Sequence, residues 1–291
     1  MKKFGDRKDG KQIRDMNGMN YIMNDLLKSR CDNEVYANYT IDVTELVDYV
    51  QSYNKKNKDK RLTYFHVFNT AIAKTIYNRP YLNRFVVNGK FYERNEVLIS
   101  FVAKTEFSDS AQEVMQVIPV KENDNVFTLR DKISGSVEHS RSNSLDSTSG
   151  TDDLVETIGH LPKLLRSPIV GIFKFADRHD LLPLSMTKEI LYYSTVLVSN
   201  LGSIGSKDAI YHHLSTFGTN SILITMGKIY KQEIINDDDT KEIRSFCDFG
   251  VTMDERIADG FYIIKSVQLL DYIINHPKLL EDDCSEKVEV K

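Results

Sequence analysis

The 291-residue chain has few cysteines, no long apolar run and no excess of positive charge, and each shortage removes a class of function. Cys31, Cys247 and Cys284 are far apart and odd in number, with no Cys-x-x-Cys pair, which argues against a disulfide framework and against a structural zinc site. They imply a reducing compartment. No stretch reaches the run of about 18 apolar residues that a spanning helix needs, so no membrane span is predicted. The charged residues 1–11 lack the apolar core of a signal peptide, which places the protein in the cytoplasm. With 38 basic against 42 acidic side chains and a net charge of −4, no global positive field exists to hold nucleic acid or an anionic membrane.

What is present is a globular composition. Hydrophobic residues make up 41% and aromatics 10%, too many for a disordered chain. The length suits one large domain or two small ones. Residues 1–33 are polar, with Gly5, Gly10 and Gly18, and read as an N-terminal arm; residues 34–281 read as the domain and 282–291 as a charged tail that frays. Asp42 and Glu45 have the spacing of a capping box, and Leu46, Val50 and Tyr53 follow at helical intervals. A second helix is predicted over 64–77, stopped by Pro80. The period then changes to two: Phe85 and Val87 precede the hairpin dipeptide Asn88-Gly89, and Val97, Ile99, Phe101 and Ala103 alternate with polar residues. Further strands are predicted at 114–120, 192–198, 221–230 and 243–253, with helices through Leu129, Ile133 and Val137 and through Ile263, Val267, Leu270 and Ile274. Residues 140–190 form an insertion, with a Ser/Thr-rich loop over 140–151 and an apolar segment over 161–175 that reads as a buried or capping helical hairpin.

Against this background Asp254-Glu255-Arg256-Ile257-Ala258-Asp259-Gly260 resembles the Asp-His-Arg-x-x-Asp-Gly signature of dihydrolipoyl acyltransferase catalytic domains, with four of five fixed positions matching. Ser199-Asn200-Leu201-Gly202 lies upstream at the spacing of that family's Ser-Asn-Leu-Gly segment. Thr225-Met226-Gly227-Lys228, Asp42-Val43-Thr44 and the 73–85 stretch with Asn78-Arg79-Pro80 resemble the order of segments in chloramphenicol acetyltransferases, which share the fold. The resemblance covers roughly residues 36–280. It implies an α/β fold, an α+β two-layer sandwich in which a mixed β-sheet is backed by helices, assembled as a homotrimer with active sites at subunit boundaries. It also implies coenzyme A or acyl-coenzyme A as a substrate, a small-molecule acyl acceptor and no metal. No lipoyl-lysine motif or Pro/Ala-rich linker precedes the region, so a bare, free-standing catalytic domain is expected.

In that family a histidine takes the proton from a thiol or hydroxyl that attacks the thioester, and a serine or threonine hydroxyl stabilises the oxyanion. The catalytic candidates are accordingly Ser199, Glu255 and Asp259. Ser199 is the oxyanion donor or else a strand-end serine serving the backbone, and Asp259 is a structural ion-pair partner or a helix N-cap. Glu255 stands where the family has its histidine. Accepting a proton from a thiol of pKa about 8.5 costs a histidine about 2.7 kcal/mol and an ordinary glutamate about 5.7 kcal/mol. Two readings of Glu255 stand: a base whose basicity burial has raised, or a surface or ion-paired carboxylate in a site that has lost acyl transfer. Asn200, Gly202, His212 and His213 are the substrate-binding candidates. Consecutive histidines point apart on any regular element, so one of the two faces the channel at most, and a joint metal site is not expected.

Overall fold

The computed structural model describes residues 3–104, 113–143 and 157–290. Its strands are β1 (Gly10–Ile13), β2 (Glu34–Asp42), β3 (Arg84–Val87), β4 (Lys90–Arg94), β5 (Val97–Lys104), β6 (Glu113–Val120), β7 (Val196–Asn200), β8 (Ile222–Met226), β9 (Tyr230–Ile235) and β10 (Lys241–Asp254). The helices are α1 (Gly18–Leu26), α2 (Thr44–Lys56), α3 (Tyr64–Asn78), α4 (Val126–Asn143), α5 (Lys163–Arg178), the single turn α6 (Leu184–Thr187) and α7 (Gly260–Asn275).

The main sheet has the order β2-β10-β8-β7-β5-β6, with β9 folded back on the first half of β10. It is mixed, because β5, β7 and β8 run parallel while the other neighbours are antiparallel. Side chains alternate across a strand, so each register fixes a face. Ile41, Val196, Val198, Ile222, Ile224, Phe249 and Met253 point to the helix side and join one core with α2, α3, α4 and α7. The opposite face is polar and carries Thr40, Ser199, Thr225, Asp248 and Thr252. This is the two-layer arrangement that the family resemblance implies. A smaller sheet, β1-β4-β3, stands beside it, closed by the Asn88-Gly89 turn, where both residues adopt positive φ as a two-residue hairpin of this type requires.

The buried helices follow their apolar stripes. Residues 66 to 76 of α3 are all buried, including Lys74, whose Nζ donates to the carbonyl of Asp283 at 2.7 Å. That bond, with the amide of Cys284 donating to the Asp124 carbonyl at 2.7 Å, holds the C-terminal stretch down and buries Cys284 completely. The first residues of the charged tail are thus held by a buried ammonium that needs an acceptor. The capping box expected at Asp42 and Glu45 is not formed, since Asp42 ends β2 and accepts from the Thr44 amide at 2.9 Å while Val43 is the uncapped start of α2. The 161–175 segment is one helix rather than a buried hairpin. Only Ile169, Phe173, Ala176 and Asp177 turn towards the body, so Leu164, Ile172 and Phe175 stay exposed. Asp177 anchors its end, accepting from Tyr193 Oη at 2.5 Å and from the Gly218 amide at 3.1 Å. The loop expected over 140–151 begins as the last turn of α4, and its remainder lies outside the described residues.

α3 opens with a capping box made by Thr63 and His66, in which Thr63 Oγ1 accepts from the His66 amide and His66 Nδ1 accepts from the Thr63 amide, each at 3.2 Å. The acceptor role requires an unprotonated Nδ1. Burial, followed by the charge of Arg130 and opposed by Asp131, lowers the His66 pKa to about 4. A folded value below the unfolded one of about 6.5 means that this stability is fully present above pH about 6.5 and is lost as pH falls towards 4. His66→Gln keeps an acceptor at this box position without titrating. The urea midpoint of the wild type is expected to fall between pH 7 and pH 5 more steeply than that of His66→Gln, and equal slopes would contradict the assignment.

Candidate active site

β10 ends on a carboxylate with no exposed surface. Asp254 is 0% exposed and is gripped by Arg256, whose Nε and Nη2 donate to its two oxygens at 2.8 and 2.7 Å. The spacing of two residues lets the 255–257 turn fold the guanidinium back in bidentate geometry. Arg256 Nη1 also donates to Asn24 Oδ1 at 2.9 Å, tying α1 to the strand end. Arg30 approaches Asp254 at 3.9 Å, and its Nη2 donates to the Gly218 carbonyl at 3.0 Å. Burial lowers the Arg30 pKa despite the adjacent carboxylate.

Glu255 follows on the exposed rim and lines two clefts. The larger, about 530 Å³, lies between α1 and the 255–259 turn and includes Met16, Asn20, Tyr81 and Arg84. The smaller, about 240 Å³, is mostly apolar and runs between β2 and α7, past Val35, Tyr39, Ile263 and Val267. Asp259 is the N-cap of α7, its Oδ1 accepting from the Tyr262 amide at 2.8 Å, and among the described residues it forms no ion pair. Its structural role is therefore a cap. Glu255 is exposed within one chain.

Ser199 is half-buried at the end of β7, opposite Thr225, and among the described residues its hydroxyl has no hydrogen-bond partner. Asn200 Oδ1 accepts from the Ser203 amide at 3.1 Å and shapes the following turn. Gly202 is required there: a Cβ would lie 2.5 Å from the carbonyl oxygen of Gly227, whose own Cβ would lie 2.0 Å from that of Lys207. Three backbones thus stack without side chains between them. Ser199 is level with Gly250 through Thr225, five residues before Glu255 and two strands away, a separation of roughly 20 Å. The two ends do not meet within one chain.

The loop that leaves this turn crosses the polar face, with Ala209 and Tyr211 close over Gly250, and reaches the Asp254 end. His212 is exposed, its Nδ1 at 2.9 Å from the His213 carbonyl. His213 lies 3.0 Å from Glu34 Oε2 through Nδ1. The side chain of Glu34 is only 2% exposed, and it also accepts from Tyr36 Oη at 2.5 Å and from the Leu214 amide at 2.6 Å. Burial raises the Glu34 pKa, but the bonds from Tyr36, His213 and Leu214 outweigh it and the net shift is downward. Glu34 and Tyr36 were not among the candidates. A carboxylate 179 residues from its histidine leaves no spacing signal, although Glu34 opens a run, Val35, Ala37, Tyr39 and Ile41, that alternates like a strand. Among the described residues no group of three or more His, Cys, Asp or Glu is arranged to hold a metal ion, and no helix is long and apolar enough to cross a membrane.

The Asp254 cluster sets the first expectation for this region. Asp254→Asn leaves two buried guanidinium groups without a counter-charge, and a loss of about 3–5 kcal/mol in denaturant unfolding is expected. A variant with the wild-type midpoint would show that α1 and the 215–218 loop are held independently of this carboxylate.

The 2-oxoacid dehydrogenases acyltransferase (catalytic domain) family matches residues 9–170, more than half of the chain. No curated protein matches it. Among solved structures, a probable dihydrolipoamide acetyltransferase from Listeria monocytogenes is 19% identical, with coverage of 92% of this chain and 95% of that one and a TM-score of 0.58. A dihydrolipoamide acetyltransferase of Azotobacter vinelandii is 14% identical, with 92% and 94% coverage and a TM-score of 0.60. A chloramphenicol acetyltransferase is 10% identical, with 92% and 99% coverage and a TM-score of 0.52. These likenesses establish a chloramphenicol acetyltransferase-like fold, and the family match, which ends before Ser199, establishes membership. The chain belongs to the 2-oxoacid dehydrogenase acyltransferase catalytic-domain family.

Proposed function

We propose that the protein is a coenzyme A-dependent acyltransferase, moving an acyl group from a thioester to a small hydroxyl, amine or thiol acceptor in sites formed between copies of a homotrimer. One observation carries this reading. In a chain of this family, a serine hydroxyl with no partner among the described residues lies near the end of β7 on the polar face while the Asp254–Gly260 turn follows β10, some 20 Å away. That separation is too large for one thioester, and a second copy turned towards the first brings Ser199 of one against the Glu255 end of the other. Ser199 then donates to the oxyanion. Glu255 occupies the family's base position, Asp259 holds the start of α7, Asn200 and Gly202 set the turn that presents Ser199, and His212 and His213 border the acyl acceptor. Arg84 gives the larger cleft a cation suited to the phosphates of coenzyme A. The three free cysteines are in keeping with the cytoplasm.

A second reading, a homotrimer of the same fold that binds a ligand or partner without catalysis, is favoured by the carboxylate at position 255. The two separate in one set of measurements. Because two similar proteins are dihydrolipoamide acetyltransferases, dihydrolipoamide is the first acceptor to try. Light scattering is expected to give a trimer at micromolar concentration, and calorimetric titration to show acetyl-coenzyme A binding. Thioester consumption should fall about 10²–10³-fold in Ser199→Ala with binding retained. A monomer removes the shared site, binding without turnover selects the second reading, and failure to bind coenzyme A ends the acyl-transfer reading.

A further inference from the structure

The polar face carries a second cluster of titratable side chains, Glu34, Tyr36 and His213. Directly opposed residues on antiparallel strands share a face, and Glu34 is opposite Asp254, which lies on the same face as Gly250, Thr225 and Ser199. Glu34, Tyr36 and the loop bearing His213 therefore stand on the face where Ser199 presents its hydroxyl. Glu255, one step past Asp254, instead borders the two clefts beside the turn.

An ionised carboxylate only accepts hydrogen bonds, so the proton shared between Glu34 and His213 sits on Nδ1. In the neutral imidazole this tautomer leaves Nε2 with a free lone pair. Among the described residues Nε2 has no partner, and the His213 side chain is 81% exposed. The support beneath it is rigid. The side chain of Glu34 is shielded, and one of its donors is the amide of Leu214, the residue after His213 and itself buried, so the backbone carrying the imidazole is fixed beside it. A carboxylate that fixes the tautomer and orientation of an imidazole with its other nitrogen open is the arrangement of a general base.

We infer that His213, positioned by Glu34 and Tyr36, is the general base of the acyl transfer; this rests on the acyltransferase reading above. Nε2 takes the proton from the acceptor hydroxyl or thiol as the acceptor's oxygen or sulfur bonds to the thioester carbonyl carbon. The oxyanion then collapses, the bond between the carbonyl carbon and the coenzyme A sulfur breaks, and the departing thiolate recovers the proton from Nε2. The imidazole is regenerated and no other reactant is consumed. In this scheme His213 is the catalytic residue, and Glu34 and Tyr36 are positioning residues. Replacement of the family's imidazole at position 255 then leaves the chemistry intact, because the base enters from a loop on the neighbouring edge strand.

The test uses the full chain, acetyl-coenzyme A and dihydrolipoamide. His213→Ala is expected to lower thioester consumption by about 10²–10⁴-fold while leaving the melting temperature and the Kd for coenzyme A at wild-type values. Added imidazole should restore part of the rate, since the vacated position is open to solvent. Glu34→Gln should lower kcat with KM little changed. Wild-type turnover in His213→Ala overturns the proposal, and so does a wild type that binds acetyl-coenzyme A without consuming it, which leaves the ligand-binding reading standing. A wild type that does not bind coenzyme A removes the acyltransferase reading and this proposal together.

Discussion

A single buried carboxylate organises one end of the main sheet and the turn and loops around it. Asp254 has no exposure, and an isolated charge there would cost several kcal/mol of desolvation. Its bidentate partner Arg256 and the nearby Arg30 offset that cost, and each guanidinium uses its remaining donors on a different part of the chain. Arg256 takes the side chain of Asn24, and Arg30 takes the carbonyls of Ser215 and Gly218. The helix that walls the larger cleft and the loop that follows His213 are therefore fixed by the same charge. Matching Asp254 and Arg256 in the sequence thus has a structural meaning that does not depend on the residue between them. The architecture survives with a carboxylate at position 255 because that side chain takes no part in the bonds that hold the turn.

Alternation along the strands then divides the labour. Ile41 of β2, Val196 and Val198 of β7, Ile222, Ile224 and Met226 of β8 and Cys247, Phe249 and Met253 of β10 enter the helix-side core, and the residues between them form the surface that the 206–219 loop crosses. A loop can lie that close only where side chains are missing. Gly227 admits the Lys207 backbone, and Gly250 leaves space for Ala209 and Tyr211. The same close packing starts the loop beside Ser199 and delivers it to Glu34, so the two polar groups of interest are opposite ends of one path over one face. Their separation follows from strand spacing and rise rather than from a detail of side-chain placement.

The elements legible in the sequence are those whose determinants are local. The Asn88-Gly89 hairpin, α3 and α7 announce themselves through turn chemistry or an apolar stripe of period 3.6, and their limits agree closely with expectation. β2 escaped because the apolar Tyr36 interrupts its alternation and because Asp42, its last residue, carries the spacing of a helix cap. The exposure of α5 escaped for a different reason: apolar residues surround the helix on more than one side, and periodicity does not say which side meets the body. In the candidate site the Ser199 turn and the Asp254–Gly260 turn were legible as motifs. The Glu34–His213 contact was not, since it arises from strand register and a long loop, and sequence distance carries no trace of either.

That contact also bears on what the residues are for. An exposed histidine paired with a carboxylate contributes at most about 1 kcal/mol to folding. Glu34 has other means of satisfaction, because Tyr36 and the Leu214 amide already cover both of its oxygens. Folding therefore gains little from the imidazole, whereas the imidazole gains a fixed tautomer and a fixed direction from the fold. A surface histidine on a mobile side chain spends its time among rotamers; one seated on a buried, immobile acceptor presents the same nitrogen continuously. That asymmetry is what the role proposed for His213 requires: the buried carboxylate supports, and the exposed nitrogen is left open.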